Sequence, residues 1–120
     1  MTEELKDLVV KDLYARIPYG VMVEYSVDAG SISCIDTELE ADDIREFMDP
    51  ESDVTIKPYL RPMSSLDKAE REYVEELSNF KCTPDKARDK IDFFLERHVD
   101  FRGLIEMGAA LEAPEGMYKF

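Results

Sequence analysis

Between Ile17 and Val21 the spacing of apolar residues changes from that of a helix to that of a strand. This change constrains the fold more than any other feature of the chain. Upstream, Leu5, Leu8, Val9 and Leu13 recur at helical spacing, with Thr2 placed as an N-cap and Glu3 and Glu4 in the first turn, where the helix dipole favours negative charge. Pro18 and Gly20 end that helix. Downstream, Val21, Val23 and Tyr25 alternate with Met22 and Glu24, and Ile32 and Cys34 alternate with Ser33 and Ile35. Two strands are therefore expected, joined by a hairpin turn at Asp28-Ala29-Gly30. A chain of 120 residues has room for one modest core, so the economical reading is a single α+β domain over residues 1–120.

The remainder adds one more strand and more helix. Residues 36–53 fit either a short helix carrying Ile44, Phe47 and Met48 or a loop leading into a strand. Val54, Ile56 and Leu60 alternate with Thr55, Lys57 and Tyr59, but Pro58 has no amide hydrogen, so this segment is expected at a sheet edge or breaking into a turn. After Ser64 and Ser65, Leu66, Ala69, Tyr73 and Leu77 form an apolar stripe. Thr83-Pro84-Asp85 is a strong helix start, and Ala87, Ile91, Phe94, Leu95 and His98 follow on one face, predicted to point at the core. A short turn of helix is expected from Asp100 to about Gly108. The architecture expected is a small, bent antiparallel sheet over residues 20–60, SH3-like in one form, packed with an N-terminal helix and a C-terminal helical pair. The alternative is a flat three-stranded sheet with the helices on one face.

Charge narrows the function classes. With 28 acidic and 15 basic side chains the formal charge is −13, which opposes direct binding to nucleic acid or to an anionic membrane. No apolar run approaches the roughly 20 residues of a membrane span, and the first residues are acidic where a signal peptide is basic, so a soluble, cytoplasmic protein is expected. Much of the charge lies between Asp36 and Asp53, where Asp36, Glu38, Glu40, Asp42, Asp43, Glu46, Asp49, Glu51 and Asp53 are opposed by Arg45 alone. Such a segment reads either as a surface for a basic partner, a mimic of nucleic-acid phosphates included, or as a loop solvated by its charge. It is not a calcium loop: counted from Asp36, Ala41 occupies the glycine position and Phe47 the position of the bidentate glutamate.

Two further stretches, residues 56–65 (IKPYLRPMSS) and 100–118 (DFRGLIEMGAALEAPEGMY), resemble a family of small uncharacterised proteins of gut Bacteroidetes and of their phages and mobile elements. With the strand pair, the resemblance covers about residues 19–36 and 54–118. It implies no catalytic residue, because no activity is established for the family. Members often carry paired histidines before the Asp-aromatic-Arg-Gly run, and this chain has Arg97-His98 there.

Catalytic and metal chemistry has little to build on. Cys34, Cys82 and His98 cannot form a four-ligand zinc site of the usual kind, and neither a metal nor a disulfide is expected to be needed for folding. Cys34 and His98 lie on apolar patterns and are expected to be buried or half-buried, while Cys82, just before the Thr83 cap, is the better placed thiol for a lowered pKa. Glycines at 20, 30, 103, 108 and 116 form no phosphate-binding cluster. Tyr59, Arg61, Arg102 and Tyr118 are of the residue types that anchor recognition surfaces, although the two arginines equally suit structural pairing with carboxylates. The function expected is therefore that of a non-enzymatic accessory protein of a phage or mobile element, without cofactor, binding another protein, a basic one in one form of this reading. The alternatives are an acidic nucleic-acid mimic that blocks a DNA-binding or defence protein, and a carboxylate enzyme with a recruited metal.

Overall fold

The computed structural model describes residues 2–28, 32–78 and 83–118. In chain order the elements are α1 (Glu3–Arg16), β1 (Met22–Asp28), β2 (Ile32–Glu38), α2 (Ala41–Met48), β3 (Val54–Leu60), α3 (Lys68–Leu77), α4 (Pro84–Glu96) and β4 (Leu111–Glu112). The strands form one α+β sheet in the open order β2-β1-β3-β4, without the closure an SH3-like barrel needs. β1 is antiparallel to both β2 and β3, and the two-residue β4 runs parallel to β3.

Local chemistry explains most of these limits. Thr2 caps α1 by accepting from the Leu5 amide at 3.1 Å. The chain turns into β1 at Gly20, whose φ is +69° and where an added Cβ would come within 2.8 Å of a Glu38 carboxylate oxygen. The positive φ is what calls for glycine there, since the Glu38 carboxylate ends a flexible, exposed side chain that can move aside. The expected hairpin turn includes Ala29 and Gly30, which lie outside the described residues, but the register Asp28↔Ile32 matches the expected pairing.

The 36–53 segment contains a helix, α2, because Ile44 and Phe47 can bury together against the sheet. In β3, Ile56, Pro58 and Leu60 share the core face. Pro58 is not on an outermost strand, since β4 follows, yet its missing hydrogen costs nothing. The Leu60 carbonyl accepts from Ala113, so positions 58 and 60 turn their polar backbone away from β1, and β4 pairing begins only at Tyr59.

The main core lies between the sheet, α1, α2 and the 104–110 turns, and includes Val9, Leu13, Val23, Ile44, Ile56 and Leu104. A second, smaller cluster of Leu66, Phe94 and Val99 lies under α3 and α4. The molecule is elongated, 52 × 29 × 24 Å.

Four expectations are corrected. On α4, Thr83 caps and Pro84 starts the helix as expected, but only Phe94 and Leu95 are buried. Ile91, expected to face the core, is 46% exposed and lines a shallow groove with Met63, Val74, Phe94 and Phe101. On α3 the buried positions are Glu70 and Leu77, with Leu66 buried just before the helix, while Ala69 and Tyr73 are exposed. Arg61 draws Glu70 inward and so turns the buried face one position along the helix. Cys34 is exposed rather than buried, since its side of β2 faces away from the core. After Asp100 the chain forms turns and not a helix: the Asp100 carboxylate accepts from the Leu104 and Ile105 amides at 2.8 and 3.0 Å, and Gly108 takes a φ of +75°.

Candidate protein-interaction surface

The nine carboxylates of residues 36–53 lie along β2, α2 and the turn after α2, and all except the half-buried Asp43 are exposed. Burial of Ile44 and Phe47 forces the charged positions of α2 outward. Several of these groups also hold local structure. Asp43 accepts from the Glu40 amide at 2.9 Å at the N-terminus of α2, and Asp49 accepts from the Glu51 amide at 3.0 Å. Glu46 accepts from the Tyr25 hydroxyl, and this bond, with burial and the nearby charges of Glu46 and Asp43, pushes the phenol up to about 12. Arg45 spends its charge on Asp42 at 2.9 Å, in a pair so exposed that it adds little to stability. Glu38, Glu40, Glu51 and Asp53 complete the surface.

On the sheet face away from the core, Asp36 stands opposite Glu24 across the β1–β2 ladder, a like-charge pair that costs stability. The Tyr59 hydroxyl, reaching over from β3, donates to Asp36 at 2.8 Å and partly offsets that repulsion. The same bond, followed by burial and nearby negative charge, raises the Tyr59 phenol to about 12. Acidity is concentrated in this half of the chain: residues 1–57 carry fifteen acidic against five basic side chains, and residues 58–120 carry thirteen against ten.

Tyr59, Arg61, Arg102 and Tyr118 do not converge on one site. Arg61 makes a two-pronged pair with Glu70 at 2.8 and 2.9 Å. Hydrogen bonding from that guanidinium holds the Glu70 carboxyl below its usual range against the opposing effect of burial. Arg102 donates to Asp12 at 3.0 Å, and the other oxygen of Asp12 accepts from Arg16 at 2.8 Å. Tyr118 wedges its hydroxyl between two strands, accepting from the Met22 amide at 2.9 Å and donating to the Tyr59 carbonyl at 2.7 Å. Burial raises this phenol to about 12 as well. Its ring stacks on His98 at 4.1 Å, and burial, reinforced by the positive charge of Arg16, lowers that imidazole to about 4.

The arginines therefore follow the structural pairing that the sequence allowed. Asp12, Arg16 and Glu70, which do the pairing, were missed. The available signal was an acid and a base four residues apart on the same stripe as Val9 and Leu13.

For chemistry the arrangement offers little convergence. His98 is 3% exposed behind Tyr118, whereas Cys34 stands on the open strand β2 beside Ser26, with 3.1 Å between sulfur and hydroxyl. Cys82 lies outside the described residues. Among the described residues no three His, Cys, Asp or Glu side chains gather as a metal site would require, and no helix is long and apolar enough to cross a membrane. Comparison with protein-family models, curated proteins and solved structures returns no match.

Proposed function

We propose that this protein is a non-enzymatic interaction protein whose acidic half binds a basic surface of another protein. The observation that supports this reading is the arrangement of charge. A single neutralised cation, Arg45, lies among nine carboxylates on β2, α2 and the following turn, and eight of the nine are exposed. A strong excess of one sign on a small protein speeds encounter with an oppositely charged partner and rejects anionic ones. The family resemblance of residues 56–65 and 100–118 supports a setting in a phage or mobile element, where a small accessory protein acts by occupying a host or viral protein.

The test is affinity capture from the native host, with mass spectrometry, of the wild-type protein and of a variant carrying Glu38→Gln, Asp42→Asn, Glu51→Gln and Asp53→Asn. These substitutions avoid Asp43, Asp49 and Glu46, which support local structure. The expected result is a basic partner whose capture falls steeply as salt shortens screening below about 8 Å and falls again in the variant. A partner held equally by both proteins at all salt concentrations would refute the proposal.

A further inference from the structure

The edge of β2 has a backbone pattern that the charge alone does not explain. The Leu39 amide donates to the Val21 carbonyl at 3.0 Å, so by alternation Ser33, Ile35 and Thr37 bond to β1 while Cys34, Asp36 and Glu38 turn their N–H and C=O groups outward. Among the described residues no backbone N–H or C=O reaches those outward groups; the Thr37 hydroxyl makes a long 3.5 Å bond to the Glu38 carbonyl. Edge strands are usually blunted by proline, by charge or by a bulge; β2 has neither proline nor bulge over seven residues of unbroken register, and its charges, Asp36 and Glu38, are both negative. One large apolar side chain, Ile35, is 58% exposed in the middle of the strand, on the sheet face that also carries Tyr25. On the opposite face stand Asp36 and Glu38, with Glu24 beside Asp36 on β1.

We infer that β2 is a docking edge at which an extended segment of the partner adds as a fifth, antiparallel strand, with basic residues alternating with apolar ones. The inference rests on the acidic-surface reading and specifies its partner. Residues opposite Cys34, Asp36 and Glu38 would exchange main-chain hydrogen bonds with them and share their face, so Lys or Arg belongs there. Residues beside Ile35 would lie on the other face and cover its exposed surface. A second copy of this chain fits poorly, because a two-fold pairing centred on Ile35 sets each Asp36 diagonally across from its copy between two molecules of charge −13.

The probe is the acetylated, amidated heptapeptide KVKVKVK, titrated into the isotope-labelled protein and followed by amide shifts. The expected result is shifts centred on Cys34, Asp36 and Glu38, with binding weakened about tenfold or more when the backbone nitrogens of the two inner lysines are methylated, and little changed when those of the valines are. Cys34→Pro should block the peptide too, since the amide it removes points outward and serves no bond to β1. If that variant does not fold, the methylated peptides still decide. Equal binding of all three peptides, with shifts spread over α2, would overturn strand addition and leave the acidic-surface reading standing. Absence of binding even at low salt would overturn both. Concentration-dependent self-association through β2 in the absence of peptide would overturn the choice of a basic partner.

Discussion

The two ends of the molecule put opposite kinds of side chain in unusual places. The sheet with α1 and α2 holds the main core and places charge inside: Asp12 and Arg16 are fully buried and Arg102 is mostly so, while Tyr14, Ile35 and Met48 stay exposed. The α3–α4 pair instead buries little and exposes apolar surface at Tyr73 and Ile91, with Met63 at its base. Its contacts are largely aromatic, Tyr73 against Phe93 and Phe94 against Phe101, with ring centroids 4.9 and 5.6 Å apart. The difference follows from thickness. A sheet covered by two helices has an interior deep enough to need a carboxylate between two guanidiniums, whereas a pair of helices has almost no interior at all. The two parts are tied at one seam. There the Arg61 amide and carbonyl bond to His98 and Asp100, Arg61 grips Glu70, and Arg16 donates to the Val99 carbonyl at 2.7 Å.

The comparison is broken most directly at Asp12. Asp12→Ala leaves Arg16 and Arg102 facing each other without their shared acceptor, and it should cost about 3 to 5 kcal/mol in urea unfolding. Asp42→Ala, which removes the exposed partner of Arg45, should cost less than about 0.5 kcal/mol. Equal costs would mean that the interior of the sheet end is no drier than its surface.

Paired truncations sharpen the contrast in packing. Ile56 is fully buried in the main core, so Ile56→Ala should cost about 2 to 5 kcal/mol through lost contacts and the cavity left behind. Ile91→Ala, at a half-exposed position, should cost less than about 1 kcal/mol. A loss at Ile91 as large as that at Ile56 would show the outer face of α4 to be covered in solution.

Acid should act on the seam. His98 has an ordinary pKa of 6.5 and is held at about 4 in the folded protein, so the unfolded chain binds its proton first as pH falls. Its contribution is fully present above pH 6.5, is lost progressively down to about pH 4, and amounts to about 3 kcal/mol at most. Glu70, held below 4.5, contributes in the same direction at lower pH. Comparison of urea midpoints at pH 7.5 and 4.5 for wild type and His98→Asn isolates the effect. Asparagine tolerates the φ of +56° at this position, and its smaller pH dependence is the expected result. An identical slope in both proteins would mean that His98 titrates normally.

Legibility in the sequence divides between local and long-range chemistry. Thr2 and Thr83 announce their helices because capping is local chemistry, and the alternation from Val21 onward announces β1 because one sheet face is buried. The acidic segment and its exposure were equally legible, since nine carboxylates have few ways to be buried. The pairing of Asp12 with Arg102, ninety residues apart, was not, and neither was the inward turn of Glu70. Both depend on which elements meet, and periodicity carries no information about that. Ile91 failed for the same reason: an apolar stripe shows which way a helix faces but not whether anything stands in front of it.

The smallest expected effect concerns the acidic surface itself, and it separates function from stability. If the exposed carboxylates serve a partner, the fold should not need them. The combination of Glu38→Gln, Asp42→Asn, Glu51→Gln and Asp53→Asn should leave the urea midpoint within the equivalent of about 0.5 kcal/mol, with a slight gain at low salt as self-repulsion is relieved. Asp43→Asn is the internal contrast. It keeps a weaker acceptor for the Glu40 amide but loses the charge at the start of α2, so it should cost about 0.3 to 1 kcal/mol. A four-fold variant that lost more than Asp43→Asn would show these charges to be part of the scaffold. The asymmetry between the two halves of the chain would then be a property of folding rather than of binding.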